Sequence, residues 1–153
     1  MKIVVLAVGK PKDKRISAMT EEYLERIRPR GIVSVEHVPD VSPGSPEERT
    51  EREGQELLKR LRPRDRMLLL RDDGRSYDSP GFAGLLSREM NTAEGRIVLT
   101  IGGPWGSSEA LKRRSNEDLS LSRMTFTHEM CLLFLAEQLY RAFSILQGSG
   151  YHH

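Results

Sequence analysis

Two segments in the last third of the chain hold residue types from which a ligand slot can be built. The first is Gly102-Gly103-Pro104-Trp105-Gly106, directly after the apolar run 98–101. Glycine there permits positive φ and leaves no Cβ between a ligand and the main chain. The second, residues 119–125 (LSLSRMT), alternates apolar and small hydroxyl side chains. Leu121, Ser122, Met124 and Phe126 offer apolar walls, and their main chain offers donors and acceptors for a purine edge. The chemistry such a pair can do is to hold an uncharged ring, since ligand pockets are mostly apolar with a few polar anchors. The turn is not a phosphate loop: it lacks the GxxxxGK[ST] spacing and no GxGxxG follows a strand. His37, His128 and Asp72-Asp73 lack metal-ligand spacing. The single cysteine, Cys131, lies in an apolar run with no basic group beside it, so it reads as a core or interface residue and not a nucleophile.

The elements that must position these segments alternate between strand and helix. Residues 2–8 form a continuous β-branched and apolar run, the pattern of a parallel strand buried on both faces. Strands are also expected at 32–38, 67–70 and 96–101. Helices are expected at 17–27, at 46–61 after the capping box Ser45-Pro46-Glu47-Glu48, at 79–90, and from Ser107 or Ser108 to about residue 114. A long helix over 127–147 presents Leu132, Leu135, Ala136, Leu139, Phe143 and Leu146 as one apolar stripe, wider than one sheet face needs. The result is an α/β fold with a mainly parallel sheet and helices on both faces. Its ligand site belongs beyond the carboxyl ends of the strands, among Gly9-Lys10, residues 71–74 and Gly102-Gly103-Pro104.

The length of 153 residues fits one domain, 1–153. Apolar residues make up 37% and charged residues 30%, which suits a cytoplasmic α/β protein. The formal charge of +2 is small for a protein that coats nucleic acid, so any RNA contact should be local. Two basic clusters could make it: Lys10-Lys12-Lys14-Arg15, and Lys112-Arg113-Arg114. No apolar run approaches the ~20 residues of a membrane span. The first strand lacks the features of a signal peptide.

IGGPWG, LSLSRMTFTHE, EQLYRAFSI and the terminal YHH, in that order, resemble the RlmH family of SPOUT-class methyltransferases. The likeness begins at the MKIVVLAVGK strand and covers nearly the whole chain. It implies a C-terminal trefoil knot, an S-adenosylmethionine cofactor, a homodimer and no metal. It also implies transfer of a methyl group to N3 of a pseudouridine in large-subunit (23S) ribosomal RNA, on the assembled ribosome. By matching motifs, the cofactor contacts would be Leu70, Gly102, Gly103, Leu121, Ser122, Arg123, Met124, Thr125 and Phe126.

Methylation at N3 requires that its proton be removed or the resulting anion stabilised. Tyr151, His152 and Arg141 are the catalytic candidates, and His128 and His153 could also take part. Two positions depart from the family pattern. Thr127 stands where proline is usual before the histidine, and Gly150 and His153 replace the usual tail proline and terminal cation. A dimer that binds ribosomes without transferring methyl groups, and a small-molecule enzyme using the same slot, are the other readings of these residues.

Overall fold

β1 (Lys2–Val8) lies inside a five-stranded sheet, and its aliphatic residues enter two cores alternately. Ile3, Val5 and Ala7 face one core; Val4, Leu6 and Val8 face the other. The computed structural model describes residues 2–41 and 43–148. The remaining elements are α1 (Lys14–Ile27), β2 (Ile32–Val38), α2 (Pro46–Lys59), β3 (Arg66–Ser76), α3 (Ser79–Thr92), β4 (Ile97–Ile101), α4 (Glu109–Arg114), β5 (Glu117–Ser120) and α5 (His128–Leu146). The strand order is β2-β1-β4-β3-β5 and all neighbouring pairs are parallel. Ile27 of α1, Leu85 and Leu86 of α3, and Leu132, Leu135 and Leu139 of α5 cover one face. Leu57 of α2 and Leu111 of α4 cover the other.

The helix starts follow local chemistry. Ser45, Ser108 and Thr127 each accept a main-chain N–H three residues on, satisfying a donor that the first helical turn leaves unpaired. α1 begins three residues earlier than the apolar spacing predicts because Asp13 caps it, and α3 is capped by Asp78, one residue before Ser79.

Two strand features depart from expectation. β3 extends to Ser76 through an irregularity between Leu70 and Arg75, and β5 is a fifth strand. Both carry acidic residues that propensity places outside strands. Asp118 of β5 is held by the Arg71 guanidinium at 2.9 Å, and Glu117 accepts the Tyr77 hydroxyl. Tertiary pairing therefore outweighs local preference at this edge.

The apolar stripe on α5 is broad because α5 packs against α1 on one side and α3 on the other, as well as on the sheet. At the amino ends of β3 and β4, buried Asp65 accepts two bonds from the Arg96 guanidinium (2.6 and 3.1 Å) and one from the Arg62 N–H (2.8 Å). Nearby, Glu89 takes both Nε and Nη2 of Arg66, at 2.8 and 3.2 Å. These pairs close the amino end of the sheet, leaving the carboxyl end for ligands.

Candidate cofactor cleft

At the carboxyl ends of β3 and β4 lies a cleft of about 840 Å³, within the usual range for small-molecule sites. Leu70 and Ile101, the last inward residues of the two strands, form its floor, and Gly102 and Gly103 one wall. The loop between β5 and α5 supplies Leu121, Ser122, Met124, Thr125 and Phe126, and the start of α5 adds His128 and Cys131. The two segments singled out in the sequence thus face one space. Of the three strand exits, those after β3 and β4 line it and Gly9-Lys10 does not. The site is displaced from the β1/β4 switch point because the loop after β5 folds back over β3 and β4.

Serine hydroxyls hold that loop in place. Ser122 Oγ accepts from the Met124 N–H at 3.0 Å. The Ser120 hydroxyl reaches the Ser122 carbonyl at 2.9 Å and the Asp72 carbonyl at 3.1 Å, tying the loop to the β3 extension. The Phe126 ring meets Phe134 of α5 edge-on, centroids 5.1 Å apart. This accounts for the alternation seen in the sequence: the hydroxyls stitch the main chain and the apolar residues turn inward. Met124 is the exception at 74% exposed, forming part of the rim. Arg123 is exposed and does not line the cleft.

The glycine turn works differently from expectation. Gly102 and Gly103 do not need positive φ; in this turn only Gly106 does, at φ 97°. A Cβ at 102 would meet Ser107 Oγ at 2.9 Å and the Gly106 carbonyl oxygen at 3.0 Å. At 103 it would overlap Oε2 of Glu53. Absent side chains at 102 and 103 therefore allow the turn to pack on itself and on α2, while the opposite side of the main chain faces the cleft.

Charge at the mouth is mixed. Asp72, Asp73, Arg71, Lys112 and Glu129 all line it. Arg71 pairs with Asp73 at 2.8 Å, and Lys112 with Glu109 at 3.2 Å. Glu129 accepts the Lys12 N–H, which docks the loop after β1 on the start of α5. Burial pushes the Cys131 thiol up, which removes thiolate character and agrees with a non-nucleophilic role. Among the described residues, no group of three or more His, Cys, Asp or Glu could hold a metal ion.

Arg141 lies nearly three turns along α5 beyond Cys131 and does not line the cleft; its Nη2 donates to Glu137 at 2.6 Å. Tyr151 and His152 lie outside the described residues, as does His153. Of the second basic cluster, Lys112 reaches the cleft, but Arg114 donates to the Arg62 and Asp65 carbonyls at the opposite end of the sheet. The short α4 runs the length of β4, separating residues that sequence alone places together.

A family model described as a predicted SPOUT methyltransferase matches residues 1–152. This chain belongs to the SPOUT methyltransferase family. It is 46% identical to a protein of Porphyromonas gingivalis named ribosomal RNA large subunit methyltransferase H, covering 100% of this chain and 99% of that one. Proteins of the same name from Pelobacter propionicus and Flavobacterium johnsoniae are 40% and 36% identical, again over 100% of this chain and at least 99% of theirs. Among solved structures, a probable methylase family protein from Haemophilus influenzae superposes with a TM-score of 0.50 at 13% identity, covering 95% of this chain and 66% of that one. That last likeness concerns the fold.

One residue behind the wall of the cleft escaped sequence reasoning. Glu53, in a helix that reads as an ordinary charged surface element, is buried directly behind Gly103. The only local signal was Gly54, whose missing side chain lets α2 approach Ser108.

Proposed function

We propose that this chain, as a single domain over 1–153, is an S-adenosylmethionine-dependent methyltransferase acting on N3 of a pseudouridine in large-subunit (23S) ribosomal RNA. The observation that carries the reading is the convergence of Leu70, Gly102, Gly103 and the 121–126 loop on one cleft. Its chemistry fits the cofactor. Apolar Leu70, Ile101, Leu121 and Phe126 suit an uncharged adenine, main-chain groups can read its edge, and Asp72 and Asp73 suit a cationic ligand. The full-length relatives named for large-subunit ribosomal RNA support the substrate class.

When bound, the cofactor supplies a methyl group already activated on sulfonium, so the enzyme's main task is alignment. Leu70, Gly102, Gly103, Leu121, Ser122, Met124, Thr125 and Phe126 would hold it, with Arg123 at the rim. Tyr151 would orient the target base and His152 would accept the N3 proton or stabilise the resulting anion, while His128 lines the cleft from the start of α5. Arg141, turned from the cleft of its own chain, would act in a site completed by a second copy. We propose a homodimer on that basis, with the implied trefoil knot holding the 121–127 loop, and a cytoplasmic enzyme working on the ribosome. No helix of the described residues is long and apolar enough to cross a membrane.

Mass spectrometry of 23S RNA from cells with and without the protein tests the reading. One pseudouridine should lose a single methyl group when the protein is absent. An unchanged modification pattern would refute the proposal.

A further inference from the structure

Glu53 is 1% exposed, and neither carboxylate oxygen has a hydrogen-bond partner among the described residues. Its carboxyl lies against Gly103, where a Cβ would stand 2.8 Å from Cδ and 3.2 Å from Oε1. Gly54 brings α2 equally close to Ser108, the N-cap of α4. The pair Glu53-Gly54 therefore grips both ends of the turn that walls the cleft.

The charged groups facing Glu53 are Asp40, from the loop after β2, and Arg49, one turn earlier on α2. Arg49 is engaged elsewhere: its Nε donates to the Val41 carbonyl at 3.2 Å and its Nη2 sits 3.5 Å from Asp40. Burial, with Asp40 adding to it, pushes the Glu53 carboxyl up. An apolar side chain of the same length would fill this space without the cost of desolvating an acid. A buried carboxyl left without a partner against the Gly103 main chain points to a bond made when the turn shifts.

We infer that Glu53 is a positioning residue of the cleft, its carboxyl accepting the main-chain N–H of Gly103 or Trp105 when that turn lies against the methyl donor; Pro104 has no N–H and that of Gly106 is bonded to the Gly103 carbonyl. This rests on reading the cleft as the S-adenosylmethionine site. Glu53 acts through Gly103 and does not itself line the cleft.

The test compares Glu53→Met with Glu53→Gln in the full chain, by calorimetric titration with S-adenosylmethionine and by thermal unfolding. Glu53→Met should melt at or above the wild-type temperature, while its affinity falls at least about tenfold through loss of the acceptor. Glu53→Gln keeps an acceptor oxygen and should bind within about threefold of wild type. Should methionine prevent folding, Glu53→Ala carries the same comparison. Wild-type affinity in a folded Met or Ala variant overturns the inference and leaves the cleft reading intact. Equal losses of melting temperature and affinity in every variant, Gln included, make Glu53 a purely structural group and also overturn it. A wild-type chain that does not bind S-adenosylmethionine overturns the cleft reading, and this inference with it.

Discussion

At position 103 an added Cβ would overlap Glu53 Oε2, and the carboxyl has no open space into which to retreat. Gly103→Ala should therefore move the turn and weaken S-adenosylmethionine binding about tenfold, and Gly103→Val more. The double variant Gly103→Ala/Glu53→Ala should recover part of the melting temperature lost by Gly103→Ala. Strictly additive losses would show that the two positions do not touch. A second residue-scale expectation concerns Asp65. Burial alone would raise its carboxyl, but bonds from Arg96 and the Arg62 N–H outweigh this and hold it below its ordinary value. Its contribution to stability is thus present above the unfolded-state pKa of about 3.9 and lost as pH falls through the lower folded value. Asp65→Asn, which leaves Arg96 buried without its partner, should cost about 3 kcal/mol at pH 7 and much less at pH 2. Urea denaturation at the two pH values measures both.

At the scale of elements, α5 joins the cleft to the tail. Its first turn supplies His128 and Cys131 to the cleft, and its last residues lead towards 149–153. If Tyr151 and His152 act on the substrate, deleting residues 150–153 should lower methylation of ribosomes strongly while leaving S-adenosylmethionine affinity within about threefold. Full methylation by the truncated protein would remove the tail from the mechanism. With histidine at 153 in place of the usual cation, His153→Lys should flatten the pH dependence of ribosome methylation between about 6 and 7.5. An identical pH profile in the variant would restrict that role to Tyr151 and His152.

For the whole molecule, the proposed homodimer needs a surface that fits a second copy. The breadth of the α5 stripe is met largely within the chain, by α1 and α3. What remains exposed is Met19 on α1 (49%) and Phe134 and Leu146 on α5 (36% and 41%), with Met124 and Trp105 near the cleft. A homodimer covering the α1/α5 side would bury Met19 and Leu146. Light scattering at micromolar concentration should give twice the chain mass, and a fully active monomer would contradict the arrangement. RNA affinity should fall with salt if Lys10, Lys12, Lys14 and Lys112 meet phosphates without reading sequence, as their clustering predicts.

The sequence by itself determined the α/β class, the doubly covered β1, three of the five helix caps and the two segments that line the cleft. Each depends on neighbours in the chain: aliphatic runs, caps three residues from their donors, a glycine turn after a strand. Family resemblance added the residue set expected for the chemistry, but not its geometry. Only the tertiary structure decided the rest. β5 and the β3 extension are held because Arg71 pairs with Asp118 and the Tyr77 hydroxyl donates to Glu117, acids that would not favour strands alone. Arg114 was separated from Lys112 by the direction of α4, and Arg141 was turned from the cleft by its ion pair with Glu137. Glu53, fifty residues before the turn it supports, became part of the site only when α2 crossed behind β4. Such contacts join residues far apart in the chain, and no local spacing encodes where a packed helix will place its side chains.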